Sequence, residues 1–209
     1  MRRGFLGGSF DPPHLGHLIL TMNALEELAL DHLAWILTPV PPHKPDRELT
    51  PVEIRTAMVE AALADTAEIS LSRIEIDRPP PHYAADTMEQ LRQKYPQDTL
   101  VYLIGEDSLR DLPDWHNPER FLAQIDILGV MRRPEVEVDP AGLEESLPGL
   151  SDRVEYFSDQ LIEISSSLIR GRVRAGKRYR YLVTDPVRRL IELHGLYRSP
   201  ADPVSLDKL

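Results

Sequence analysis

The sequence predicts an α/β fold: a parallel sheet wound with helices on both faces and closed by a small C-terminal helical portion. Three observations predict it. Short β-rich apolar runs alternate with helical patterns along almost the whole chain. A glycine pair, Gly7-Gly8, ends the first of these runs just before a helix. The chain has 209 residues, 42% hydrophobic and 28% charged, which is enough material for one well-filled core.

In order, Arg3 to Leu6 reads as the first strand. A helix follows from about Gly16 to Leu28, with Leu18, Met22, Leu25 and Leu28 at helical spacing. His32 to Leu37 is a short buried strand. Thr50-Pro51-Val52-Glu53 reads as a capping box opening a helix whose apolar stripe is Ile54, Met58, Ala61 and Ala62. Ile69 to Ile76 alternates like a half-buried strand, and a helix near Thr87 to Lys94 comes next. Leu100 to Ile104 is a strongly apolar strand, Asn117-Pro118 opens a short helix, and Ile125 to Met131 and Val154 to Phe157 are the last strands. Helices near Ser167 to Ala175 and Asp185 to His194 close the domain, the second capped by Asp185 with Pro186 in its first turn. Arg132 to Leu150, acidic and proline-containing, reads as a surface excursion. Residues 1–198 are expected to form one domain and 199–209 a flexible tail.

Composition excludes several classes of function. Cysteine is absent, so there is no disulfide framework, thiol nucleophile or thiolate metal site. A formal net charge of −10 argues against broad nucleic-acid binding. No export signal or membrane span is visible, because Gly7, Gly8, Ser9 and Asp11 interrupt the early apolar residues; the expected compartment is the cytoplasm.

Ligands of such sheets bind beyond the carboxyl ends of the strands, so the loops after strands carry the information. The first reads Gly7-Gly8-Ser9-Phe10-Asp11-Pro12-Pro13-His14-Leu15-Gly16-His17. Glycines let the backbone approach a ligand, and the helix that follows offers free N–H groups and the positive end of its dipole, a combination suited to phosphate. His14 and His17, three apart, can face one anion. A plain tight turn with packing histidines, or a zinc pair, remains the alternative at this point.

This stretch resembles the nucleotidyltransferase signature His-x-Gly-His, with Ser9 where threonine is more usual. Ile164-Ser165-Ser166-Ser167-Leu168-Ile169-Arg170 resembles the second signature, Ile-Ser-Ser-Thr-x-Ile-Arg, with Ser167 for threonine. Between them, Pro41-Pro42-His43-Lys44, Tyr83-Ala84-Ala85-Asp86-Thr87, Gly105-Glu106-Asp107 and Trp115-His116 resemble the bacterial nicotinate-nucleotide adenylyltransferases. The likeness runs from Gly7 to about Tyr197. It implies a Rossmann-like fold and transfer of the adenylyl group of ATP to nicotinate mononucleotide, giving deamido-NAD and pyrophosphate.

The resemblance implies roles. His14, His17 and Arg170 are the catalytic group. ATP falls to Gly7, Gly8, Ser9, Phe10, His17, Gly105, Asp107, Ile164, Ser166, Ser167 and Arg170. The acceptor falls to Lys44, Tyr83, Ala84, Ala85, Asp86, Thr87, Trp115 and His116, with Trp115 available to stack on a pyridine ring or to pack under its loop. Mg2+ would be held mainly by substrate phosphates rather than by a protein cage. Two departures stand out: Ala84 lacks the family's hydroxyl, and Glu106 replaces a small residue beside the polyanion site. Transfer to another acceptor (nicotinamide mononucleotide or phosphopantetheine) and an adenylate sensor without turnover are the rival readings. Nucleic-acid binding survives only through the basic run Arg170 to Tyr181. The number of subunits is left open.

Overall fold

In the computed structural model, which describes residues 1–42, 48–132, 136–157 and 163–198, six parallel strands form one sheet in the order β3-β2-β1-β4-β5-β6. The strands are β1 (Arg2–Gly8), β2 (His32–Leu37), β3 (Ile69–Ser72), β4 (Thr99–Gly105), β5 (Ile127–Met131) and β6 (Val154–Phe157). The helices are α1 (Leu15–Glu27), α2 (Val52–Leu63), α3 (Ala84–Lys94), α4 (Glu106–Arg110), α5 (Pro118–Leu122), α6 (Pro140–Ser146), α7 (Ser166–Arg174) and α8 (Asp185–Leu193). Strand order reverses between β1 and β4, where Leu6 lies in register with Leu103. The chain therefore leaves β1 at Gly8 and β4 at Gly105 side by side, forming the crevice in which doubly wound sheets take ligands.

Burial on both faces explains the near-continuous apolar strands. One face sets Phe5, Ile36, Tyr102, Ile104 and Val130 against Met88 and Leu91 of α3 and Phe121 of α5. The other sets Leu6, Trp35, Val101 and Leu103 against Ala24, Leu28, Val59 and Leu63 of α1 and α2. A third cluster joins Met58 of α2 to Ile169, Val173, Val187 and Ile191. That cluster docks the C-terminal helices on α2 and brings the start of α7 to the first loop. Among the described residues no helix is long and apolar enough to cross a membrane.

Several local expectations are corrected. The buried side of α1 is Thr21, Asn23 and Ala24, and Met22 is 49% exposed. The reason is polar pinning: the Trp35 indole Nε1 donates to Thr21 Oγ1 at 2.8 Å, and that hydroxyl donates to the His17 carbonyl at 2.8 Å. In α2 the buried residues are Arg55, Thr56, Met58, Val59 and Leu63 rather than a purely apolar stripe. The Thr50 capping box does not form: Pro51 is the N-cap, and the Thr50 carbonyl accepts Arg55 Nε at 2.7 Å. The third strand stops at Ser72, where its pairing with β2 ends, and Ile74 to Asp77 turn away. The helix after it begins three residues early, at Ala84. The segment after Arg132 is not a mere excursion, since α6 buries Leu143 and the following Leu147 and Leu150 join the core. In α8 the N-cap is Thr184, with Asp185 already inside the first turn.

Candidate active site

The site is built from two helix starts that meet beneath the end of β1. Gly7 is exposed and Gly8 and Ser9 are half-buried, so their backbone faces solvent. A Cβ on Gly7 would stand 2.6 Å from the Tyr102 hydroxyl, and one on Gly8 would press on the Phe10 ring at 3.1 Å. Phe10 folds the loop back. It takes a left-handed φ of 46°, is 2% exposed, stacks on Trp35 at 4.7 Å and meets the His17 ring edge at 5.0 Å. A non-glycine residue in that region costs about 1 kcal/mol, which the aromatic packing offsets.

His14 is the N-cap of α1, and its amide donates to His17 Nδ1 at 3.2 Å. The His17 proton therefore sits on Nε2. The two imidazoles stack with centroids 3.7 Å apart. Burial lowers His14 to about 4, and burial together with His14 pushes His17 well down too. Both rings are neutral donors at physiological pH. As uncapped backbone amides at the helix start, Leu15 and Gly16 add to the same positive field. Gly16 has to be small: its Cβ would meet the His14 ring at 3.0 Å and the Ile164 carbonyl at 3.2 Å.

The second helix start is clamped onto the first loop. Ser165 caps α7, accepting the Leu168 amide at 3.1 Å. The Ser166 hydroxyl donates to the Pro12 carbonyl at 2.8 Å, Arg170 Nη1 donates to the Asp11 carbonyl at 2.7 Å, and Arg170 Nη2 donates to Ser167 Oγ at 3.0 Å. Two positive helix ends, two neutral histidines and a guanidinium thus converge in a chain of net charge −10.

Three residues support the loop: Asp11 within the first motif, and Arg55 and Tyr197 outside the motifs. Arg55, 2% exposed, donates to four carbonyls: Thr50 and Pro39 at 2.7 Å, Ser9 and Thr38 at 2.9 Å. Burial pulls its pKa down, with Asp11 the foremost acid opposing that. Asp11, also 2% exposed, accepts the Tyr197 hydroxyl at 2.6 Å, which burial and Asp11 push far above its ordinary value. The signal for Arg55 was its place at helical spacing with Met58 and Val59.

Other expected residues fall as follows. Gly105 is the N-cap of α4, and Asp107 lies inside that helix. Burial, with the Glu106 charge second, raises the Tyr156 phenol. Tyr83 and His116 stack at 3.8 Å, an aromatic pair at the start of α3. Trp115 is half-buried and packs on Tyr102 (6.4 Å) and Phe121 (5.3 Å), which favours the packing role. Ala85 and Thr87 point inward, and Asp86 pairs with Arg120 at 2.9 Å. Lys44 lies outside the described residues.

Neutral buried histidines give a measurable pH dependence. Between pH 6.5 and about 4 the unfolded chain takes up a proton at His14 that the native state refuses. Stability should therefore fall as pH drops through that window, by about 2 kcal/mol at pH 5 from His14 alone. Urea midpoints at pH 7 and pH 5 measure this, and His14→Gln should flatten the profile. An unchanged profile in that variant would deny His14 the assigned burial.

A parallel sheet of this order, with phosphate-sized donors gathered at its switch point, defines an α/β nucleotide-binding protein of the type that handles a polyphosphate. The chain belongs to the cytidylyltransferase-like family, whose sequence profile matches residues 5–172. It is similar to a probable nicotinate-nucleotide adenylyltransferase of Thermomicrobium roseum, 42% identical over 95% of this chain and 92% of that one. A second relative of the same description, from Exiguobacterium sibiricum, is 39% identical over 94% and 99%. Among solved structures, the fold matches Plasmodium falciparum nicotinic acid mononucleotide adenylyltransferase complexed with NaAD. That match has TM-score 0.75 and 18% identity, and covers 94% of this chain and 97% of that one.

Proposed function

We propose that this protein transfers the adenylyl group of ATP to nicotinate mononucleotide, releasing pyrophosphate and forming deamido-NAD. The observation that carries the reading is the convergence of the α1 and α7 starts, joined through Ser166 and Arg170 to the Asp11-Pro12 backbone. A phosphate oxygen of the acceptor attacks the α-phosphorus of ATP as the bond to the β-phosphate oxygen breaks. The acceptor phosphate is already ionised near neutral pH, so no general base is required. What remains is alignment and neutralisation of charge on the transferred and leaving phosphates.

In this reading His17 Nε2–H, His14, Arg170 and the Gly7-Gly8-Ser9 backbone hold the phosphates. Ser166 contributes its amide and Ser167 its hydroxyl, with Ile164 and Phe10 shaping the walls. Gly105 and Asp107 receive the ribose across the crevice. The acceptor lies toward Tyr83, Ala84, Trp115 and His116, with Lys44 reaching its phosphate. Ala85, Asp86 and Thr87 act from behind by fixing the start of α3.

Among the described residues no three His, Asp or Glu side chains gather into a metal cage. A Mg2+ ion carried by the triphosphate oxygens would withdraw charge from the leaving group. Residues 1–198 act as one catalytic domain, in the cytoplasm where both phosphorylated substrates are held.

The test offers ATP and Mg2+ with nicotinate mononucleotide, nicotinamide mononucleotide or phosphopantetheine, reading pyrophosphate and product mass. Deamido-NAD as the fastest product is the expected result. Preference for either other acceptor would overturn the acceptor assignment while leaving the phosphate chemistry, and no turnover despite ATP binding would favour a sensor.

A further inference from the structure

Charge is distributed unevenly along the chain. Residues 164–198 hold nine arginines and lysines against two acids, Asp185 and Glu192, a net +7 that leaves −17 for the remainder of a chain at −10. The densest part is the run from Arg170 to Tyr181, six cations without an acid. Of those six, the phosphate site built from the two helix starts uses only Arg170.

The structure keeps this run beside the site. Arg174 lies one turn beyond Arg170 on the same face of α7, about 6 Å along the helix axis. The chain then reverses at Gly176, which takes a left-handed φ of 62°. After the reversal the Lys177 amide donates to the Arg172 carbonyl at 2.8 Å, and Arg172 Nε donates to the Arg178 carbonyl at 2.6 Å. Lys177 and Arg178 are thereby folded back against Arg172, two residues from the Arg170 guanidinium that holds the Asp11 carbonyl at 2.7 Å.

These cations are not spent on the fold. Arg174, Lys177 and Arg178 are exposed, and their side chains make no ion pair or hydrogen bond among the described residues. Their neighbours differ: Arg180 pairs with Asp185 at 3.6 Å and Arg188 with Glu192 at 2.7 Å. The negative end of α7 accommodates cations in its last turn, but Lys177 and Arg178 follow that turn and lie beyond this account. Arg170 and Arg174, like charges at i and i+4, repel each other unless an anion lies between them.

We propose that Arg174, Lys177 and Arg178 form a capture surface for phosphorylated anions, which draws MgATP and the phosphate of the acceptor toward the meeting point of α1 and α7. The inference rests on the functional reading above. A chain of net −10 repels polyanions at long range, and a local positive face reverses that field over the last Debye length of approach, about 10 Å at 0.1 M salt. The three side chains act on encounter and not on the reacting atoms, so their effect is on capture, is screened by salt and leaves the chemical step alone.

The experiment compares wild type with the triple variant Arg174→Gln, Lys177→Gln, Arg178→Gln, measuring kcat, kcat/KM for each substrate, and MgATP affinity by direct titration. At about 20 mM ionic strength the variant's kcat/KM and MgATP affinity should fall about fivefold with kcat unchanged, and at about 0.5 M the difference should shrink below about 1.5-fold. The charge-preserving triple variant Arg174→Lys, Lys177→Arg, Arg178→Lys should match wild type at both salts. No loss at low salt would remove the surface from capture. A loss that persists at high salt, a loss in kcat, or a loss in the charge-preserving variant would mean a structural role; each of these results overturns the proposal. Should the triple variant not fold, Lys177→Glu alone carries the same test, with a loss of about threefold expected at low salt only. If wild type does not adenylylate nicotinate mononucleotide, the functional reading fails, and MgATP affinity at the two salts still decides whether the surface captures polyphosphate.

Discussion

His17→Ala should lower kcat by about 10²–10³ while changing the affinity for ATP much less. The His17 ring is fixed on three sides: its Nδ1 accepts the His14 amide, His14 stacks on one face, and Phe10 and Trp35 meet its edges at 5.0 and 5.6 Å. Its remaining Nε2–H is a preorganised donor whose neutral state is held by burial. Such a donor contributes most where charge develops, on the phosphates as the bond to pyrophosphate breaks, and less to ground-state binding. His17→Asn, which supplies an N–H on a shorter side chain, should recover part of the loss. Steady-state kinetics with an independent ATP titration separates the two effects. Wild-type turnover in His17→Ala would remove this residue from the chemistry.

Arg55→Met should destabilise the fold by about 3–5 kcal/mol and weaken ATP use in whatever protein remains folded. Methionine fills similar space but leaves the carbonyls of Ser9, Thr38, Pro39 and Thr50 without their donor in a buried setting. Asp11 also loses its nearby buried cation. Arg55→Lys should recover only part, because one ammonium cannot reach four diverging carbonyls. Urea unfolding gives the stability change, and KM for ATP reports how far the Ser9 backbone has moved. A loss below about 1 kcal/mol in Arg55→Met would show that water replaces the guanidinium and that the residue does not hold the loop.

Sequence periodicity erred on α1, whose start helps to build the site, and on α2, which supports the first loop from below. In α1 the apolar positions Leu18, Met22 and Leu25 outweigh Thr21, yet Thr21 is fully buried because Trp35 and the His17 carbonyl satisfy its hydroxyl. In α2, Arg55 occupies a core position because four carbonyls converge there. Hydropathy assigns polar residues to water, and only a partner distant in sequence reverses that assignment. The strands suffered less, since burial on both faces leaves apolar runs that need no phase. Trp115 shows the same limit: its loop is polar, but Phe121 and Tyr102 draw the indole inward.

The sequence by itself determined the layered fold and the glycine-rich turn before α1, because strand–helix alternation and a Gly-Gly pair before a helix are local properties of the chain. Tertiary structure alone decided that the second helix start, more than 150 residues away, closes on the Asp11-Pro12 backbone. It also decided that both histidines stay neutral and that Arg55 lies beneath the first loop rather than in solvent. Burial and long-range hydrogen bonding depend on what packs above a residue, and no window of sequence contains that neighbour.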